Sequence, residues 1–331
     1  MKLNRRQRRD FMVAMGFLAP NFIGFLIFTT GPLLFSLMVS FSNWNLQRTI
    51  PFGWIFTENY RELLGESEFW ICFINTAYLM LGMPLAIAGS LFLAVLLSQN
   101  LRGMVVYRTI FYLPSITSGV ALMILWKVLY NPDFGPINAA IDWALRTLHI
   151  NDALQLVSGV TVAAPKWLLS TNNLLGLDVE RVGLAAKQWG LGARDAIIIM
   201  GIWIAIGGNN MLLYLAALAN VPHELYEAAH IDGAGRWAAF RHITWPQIAP
   251  TTFFIVVMSF IGGLQGGFEQ ARIMTKGGPA GTTTTLSYHI YIKAFEEMRM
   301  GYASAISWIL FIMIFAVTLL NWRFGNKDLN D

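Results

Sequence analysis

The 331 residues are 56% hydrophobic and only 13% charged, with a formal net charge of +4. Ordinary globular domains are about one quarter charged and just under half apolar, so this balance excludes a soluble enzyme, a disordered chain and a nucleic-acid-binding domain. The chain reads as a membrane protein.

Its apolar residues are also blocked. No Asp, Glu, Lys or Arg occurs in residues 11–47, 69–101, 109–126, 196–223, 243–268 or 300–322. Each block meets or exceeds the roughly 18 to 20 residues that carry a helix across a hydrocarbon core at about 1.5 Å per residue. The blocks are continuous, unlike the short alternating strands of a membrane barrel, and helices satisfy their own backbone groups in lipid. The predicted fold is all-α, a polytopic membrane protein with six transmembrane helices near 12–40, 69–99, 106–130, 194–220, 243–268 and 301–323. No low-complexity linker or short repeat divides it, so one membrane domain over 1–331 is expected.

Lys2, Arg5, Arg6, Arg8 and Arg9 precede the first span, and Arg48 and Arg61 follow it. Positive charge collects on the cytoplasmic side, which gives an N-in chain whose six spans return the C-terminus inside. The first apolar stretch far exceeds the 7 to 15 residues of a signal-peptide core, so it reads as an uncleaved span. Cys72 is the single cysteine, which excludes a disulfide within the chain; it reads as a small buried hydrophobe.

Residues 131–195 form a long extracytoplasmic connection with Pro132, Pro136, Pro165, Trp143, Trp167 and Trp189. Connections this long usually carry structure of their own, which predicts a small cap with short helices. Plain interfacial anchoring by the tryptophans is the alternative.

Polar and glycine-rich points inside the spans are candidates for a solute pathway. Gly208, Asn209 and Asn210 follow Gly207, and Ser259 and Gln265 flank Gly262-Gly263, where glycine loosens a helix and frees backbone for a midplane cavity. Ser118 interrupts the third block, and Trp203 and Phe268 offer aromatic faces that suit sugar rings. Small and polar residues also join helices to one another, so each of these taken singly has a packing reading as well.

The inner segment 221–246 holds the most specific pattern. Pro222 suits a first helical turn, Asn220 can cap it, Glu224 complements the positive end of the dipole, and Gly233 can take the left-handed stop. Val221, Leu225, Ala228 and Ala229 fall at helical spacing, and the two alanines leave little side chain between backbone and a partner. By periodicity alone an amphipathic helix in the lipid interface is the favoured reading of this pattern.

The residue string itself carries more. Glu227-Ala228-Ala229, Asp232-Gly233-Ala234, Ile243 and Pro246 resemble the signature loop of permease subunits in binding-protein-dependent ATP-binding-cassette importers, and most closely the carbohydrate permeases of the maltose and glycerol-phosphate type. Asn210-Met211-Leu212-Leu213 before the loop, Gly277-Gly278-Pro279 after it and Met300-Gly301-Tyr302-Ala303-Ser304-Ala305 extend the similarity. Trp245 departs from the leucine usual before the proline, and 131–195 is longer than in compact members.

The resemblance implies a cytoplasmic coupling helix between spans four and five. Glu227 would meet a basic group on an ATPase, Ala228 and Ala229 would permit close approach, Gly233 would allow the turn, and Asp232 would cap it. It implies as partners a second six-span permease, two cytoplasmic nucleotide-binding ATPase subunits that hold ATP and Mg, and an extracytoplasmic solute-binding protein, in the inner membrane of a bacterium or archaeon. Within such a pair, one permease alone can hold the sugar. Competing readings are a permease for a non-sugar solute and an ion-coupled secondary transporter; the second is disfavoured by the charge-free spans.

No catalytic residues are expected. The chain has no G-x-x-x-x-G-K-[ST] run to cradle phosphates, and His223-Glu224 opens no H-E-x-x-H motif because position 227 is Glu. His149, His223, His230, His242 and His289 show no metal-ligand spacing, so neither a metal nor a cofactor is assigned.

Overall fold

The computed structural model describes residues 4–47, 51–99, 102–149, 151, 155, 163–176 and 189–325. Lys2 and Arg48 of the charge argument, and parts of 131–195, lie outside them. Among the described residues the regular elements are helical, and β pairing is confined to isolated bridges at Ser42–Trp54 and Asn173–Trp189.

Helices long and apolar enough to cross a membrane run over Arg9–Ser40, Ser67–Leu97, Ala193–Ala219, Arg236–Thr275 and Met300–Asn321. A bent pair, Met104–Ile116 and Gly119–Leu129, adds a sixth if its halves count as one span. The single helix expected over 106–130 is therefore corrected: the two halves meet at 95°. Pro114 has no N–H and its ring crowds the carbonyl four residues back. Thr117 and Ser118 then take extended ψ angles of 147° and 125°. Hydroxyls bond carbonyls of the last turn before the bend, with Ser115 Oγ donating to Tyr112 O at 2.8 Å and Thr117 Oγ1 to Leu113 O at 2.9 Å. Backbone that leaves the helix in an apolar setting needs such substitutes.

The chain groups into two compact units. The first, Met1–Glu66 with Ile290–Phe311, holds a charged network. Arg299 Nη2 donates to both Glu62 oxygens at 2.8 Å, and Lys293 Nζ lies 3.0 Å from Glu297 and 3.6 Å from Glu66. The Tyr302 hydroxyl donates to Glu66, and the Arg299 guanidinium sits 4.4 Å from the Tyr302 ring centre. Near it, Gly301 N donates to Trp44 O and Leu46 N to Met298 O, which ties the 41–47 segment to the start of the last helix.

The second unit, Ser67–His289 with Ile312–Asp331, contains two apolar cores. One joins Leu93, Ala94, Leu97, Met211, Tyr214, Ile248 and Ile255. The other joins Met123, Trp126, Tyr130, Trp167, Ala196, Ile197, Met200 and Met274, so the second half of the bent pair packs on the fourth span. Cys72 is buried in this unit.

Of 131–195, a helix Pro136–Thr147 and a short turn Trp167–Leu169 are described. They are fastened by polar bonds: Trp167 Nε1 donates to Asn138 Oδ1 at 2.7 Å, and Asn138 Nδ2 donates to the carbonyls of Pro132 and Pro165. Trp167 is buried against Tyr130, whereas Trp143 and Trp189 are exposed.

Candidate functional site

Two features could serve transport: a cavity among the spans of the second unit and the exposed helical loop between the fourth and fifth spans. The cavity measures 410 Å³. The second span contributes Thr76, Met80 and Met83, the fourth Ile198, Ile202 and Ala205, and the fifth Ser259, Gly262, Gly263 and Gly267. Asn210, Gln270 and Thr285 complete its polar lining, and among the described residues no Asp, Glu, Lys or Arg takes part. Such a wall offers hydrogen bonds and small apolar faces to an uncharged solute, with no counter-ion for a coupling proton or sodium ion.

Glycines set the shape of this wall. A Cβ at Gly82 would lie 2.7 Å from Ile198 Cγ2, and one at Gly263 would lie 3.0 Å from Met80 Cγ. The helices therefore approach on glycine, as small residues allow in membranes. At Gly207 a Cβ would run into the Phe111 carbonyl, so the first half of the bent pair rests on bare backbone of the fourth span. Gly208 opens the next helical stretch with ψ near −156°. Ser90 Oγ donates to Ala205 O at 3.0 Å beside this break.

Of the sequence-predicted pathway residues, Asn210 and Ser259 line the cavity. Gly208 and Asn209 sit at the break instead, where Asn209 Oδ1 accepts from the Tyr112 hydroxyl at 3.2 Å. Ser118 lies in the bend and is exposed. Trp203 packs edge-on against Trp126 with ring centres 5.5 Å apart. Gln265 is exposed and its carbonyl accepts from Ser287 Oγ at 2.6 Å. Phe268 packs on Tyr288 and beneath Arg272.

Sequence reasoning missed how one wall is held. Asn75 Nδ2 donates to Gly281 O at 2.8 Å and Thr284 O at 3.0 Å, and Leu286 N donates to Thr76 Oγ1. These bonds seat the 277–285 turn, whose Thr283 and Thr285 are fully buried. Farther along, the Tyr78 hydroxyl donates to Asp195 Oδ1 at 2.6 Å, joining the second and fourth spans. Partners more than 100 residues apart leave no local pattern to find them by.

The loop helix spans His223–Ile231. Pro222 is its N-cap, and Asn220 instead ends the preceding helix, which corrects the cap assigned from sequence. A residue before proline avoids the helical region, so Val221 cannot belong to the new helix. At the other end Gly233 has φ +76°, Gly233 N donates to His230 O, and Ala234 N donates to Ala229 O at 2.8 Å. This is the left-handed stop that glycine permits; Asp232 supplies the C-cap backbone.

Glu227 and Ala228 are exposed and Ala229 is half-buried. Glu227 Oε1 lies 3.3 Å from His223 Nδ1, an exposed pair of little energetic weight. Tyr226 and Thr244 share a hydroxyl hydrogen bond of 2.8 Å, which fixes the loop helix to the foot of the fifth span. Pro246 stands in the first turn of Trp245–Gln265, and Ile243 is half-buried just before it.

An all-α chain with several membrane-length helices, an uncharged cavity among them and a capped helical loop outside them is a polytopic helical membrane protein. It belongs to the family of binding-protein-dependent transport system inner membrane components, whose model matches residues 78–324. A probable ABC transporter permease protein YesP from Bacillus subtilis is 33% identical over 98% of this chain and 93% of its own. The lactose transport system permease protein LacF of Rhizobium radiobacter is 31% identical over 92% and 91%. A solved bacterial alginate ABC transporter, in complex with an alginate pentasaccharide-bound periplasmic protein, includes a chain that superposes with a TM-score of 0.71 at 22% identity, over 98% of this chain and 96% of its own. That likeness is one of fold.

Proposed function

We propose that this chain is one permease subunit of an ABC importer for a sugar or oligosaccharide. It pairs with a second six-span permease, both termini face the cytoplasm, and two separate ATPase subunits carry the ATP and Mg. A solute-binding protein delivers the cargo from outside. The kinship with a lactose permease, and a fold shared with an alginate importer, support a carbohydrate cargo.

The observation that carries this reading is one mechanical line. The helix bearing Glu227, Ala228 and Ala229 is bonded through Tyr226 to Thr244, and the same fifth span continues to Ser259, Gly262 and Gly263 in the cavity wall. A pull on the loop helix is thereby transmitted to the wall. ATP closes the ATPase dimer, the loop helices follow, and the permease pair rocks between inward and outward access. The energy enters as differential affinity of ATP and solute for the two states. Asp232, Gly233 and Ala234 shape the loop, while Ile243 and Pro246 seat its second half at the membrane. Asn210 and Ser259 are the solute contacts this chain offers; Ser118, Trp203, Gly208, Asn209, Gln265 and Phe268 shape the helices around them.

Glu227→Lys places a cation where a basic group of the ATPase is expected. The variant inserts normally and loses solute-stimulated ATPase activity and uptake in proteoliposomes. Wild-type stimulation in that variant would remove the loop helix from the coupling role.

A further inference from the structure

The second half of the loop has a different surface from the first. Trp237 is 72% exposed and Trp245 44% exposed. Trp237 stacks on Phe240 with ring centres 5.6 Å apart, which leaves its other face open. Trp237, Arg241 and Trp245 recur four residues apart, beside exposed Arg236 and His242. From 233 to 268 there is no Asp or Glu, and among the described residues neither arginine forms an ion pair.

Length says what lies against this surface. The helical stretch Arg236–Thr275 has 40 residues. Its unbroken part ends at Gln265, before the extended Gly266, and at about 1.5 Å per residue still exceeds the roughly 30 Å of a hydrocarbon core by about half, while the charge-free part begins only at Ile243. Residues 236–242 therefore run on from the membrane-embedded helix at headgroup depth, where tryptophan and arginine are the favoured residues.

We propose that residues 236–245 form a docking surface for anionic phospholipid of the cytoplasmic leaflet, with Trp237 and Trp245 in the interface and Arg236 and Arg241 on the phosphates. The loop is thus divided: residues 223–231 face the ATPase, and 236–245 hold the foot of the fifth span to the leaflet. The inference rests on the N-in orientation proposed above. Each arginine near an anionic surface favours binding by about fivefold, the equivalent of about 1 kcal/mol.

The test uses the full chain in vesicles of phosphatidylglycerol and phosphatidylcholine in which one or the other lipid is dibrominated. Bromine quenches nearby indoles, and the difference between wild type and Trp237→Phe isolates this residue among the 12 tryptophans; Trp245→Phe gives an independent reading if the first variant fails to insert. The expected result is severalfold stronger quenching by the brominated anionic lipid, reduced to parity in Arg236→Gln/Arg241→Gln. Equal quenching by both lipids in wild type would overturn the proposal, as would absence of quenching. Quenching that disappears when the co-purified ATPase is bound would assign the surface to that subunit instead. Failure to recover any ATPase would defeat the importer reading while leaving the quenching measurement intact.

Discussion

Gly207 and Gly262 show how differently two glycines act among the spans of one unit. Gly207 lies so close to the Phe111 carbonyl that no Cβ fits, whereas a Cβ at Gly262 meets nothing within 4 Å. Overpacking of a rigid contact costs about 1 to 3 kcal/mol. Gly207→Ala is therefore expected to lower the melting temperature in detergent. Gly262→Trp, which grows into the 410 Å³ cavity, is expected to keep it and to abolish uptake. Thermal unfolding beside proteoliposome uptake separates the two; a destabilised Gly262→Trp with residual uptake in proportion to folded protein would argue against a pathway there. Polarity inside an apolar block drew attention to Asn210 and Ser259, both in the cavity wall. The same signal at Asn209 reflects a bond to Tyr112, and the aromatic signal at Trp203 reflects packing on Trp126. A single sequence position does not distinguish a group turned to a cavity from one turned to a neighbouring helix.

At the scale of elements, helix ends were legible where a residue has one conformational use. Gly233 ends the loop helix because it accepts φ +76°, whereas the start falls at Pro222 and not at the Asn220 cap read from sequence. The bend at Thr117 and Ser118 was not legible, because hydropathy sums over a window and hydroxyl residues stay apolar enough to be counted within a span. The glycine-lined helix contacts had no periodic mark either, since their partners lie on other spans. The loop helix is held to the fifth span by the Tyr226–Thr244 bond, and such a bond contributes about 0.5 to 1.5 kcal/mol. Tyr226→Phe should insert and assemble with its partners, with basal ATPase unchanged and the number of solutes imported per ATP reduced. That ratio is read by paired uptake and phosphate-release assays; an unchanged ratio would show that force reaches the cavity by another route.

At the scale of the whole molecule, the chain is an inner membrane component of a binding-protein-dependent transport system, and the function proposed for it puts the energy source on another polypeptide. Its described helices supply membrane-length rods, a glycine-lined cavity without charge and an exposed loop capped at both ends. The family match covers 78–324, so the loop and the cavity both lie inside it. The membrane class was legible from charge-free blocks alone, whereas the family came from the string around Glu227 and Asp232. The cargo was not legible, because sugar recognition depends on which hydroxyls meet which polar groups, and a linear string of residues does not show that arrangement. The most direct measurement is affinity purification of the chain from its native membrane in mild detergent, followed by identification of what accompanies it. The account predicts a second six-span permease and a nucleotide-binding ATPase in fixed proportion. A chain that purifies alone, or as a homo-oligomer without ATPase, would contradict it.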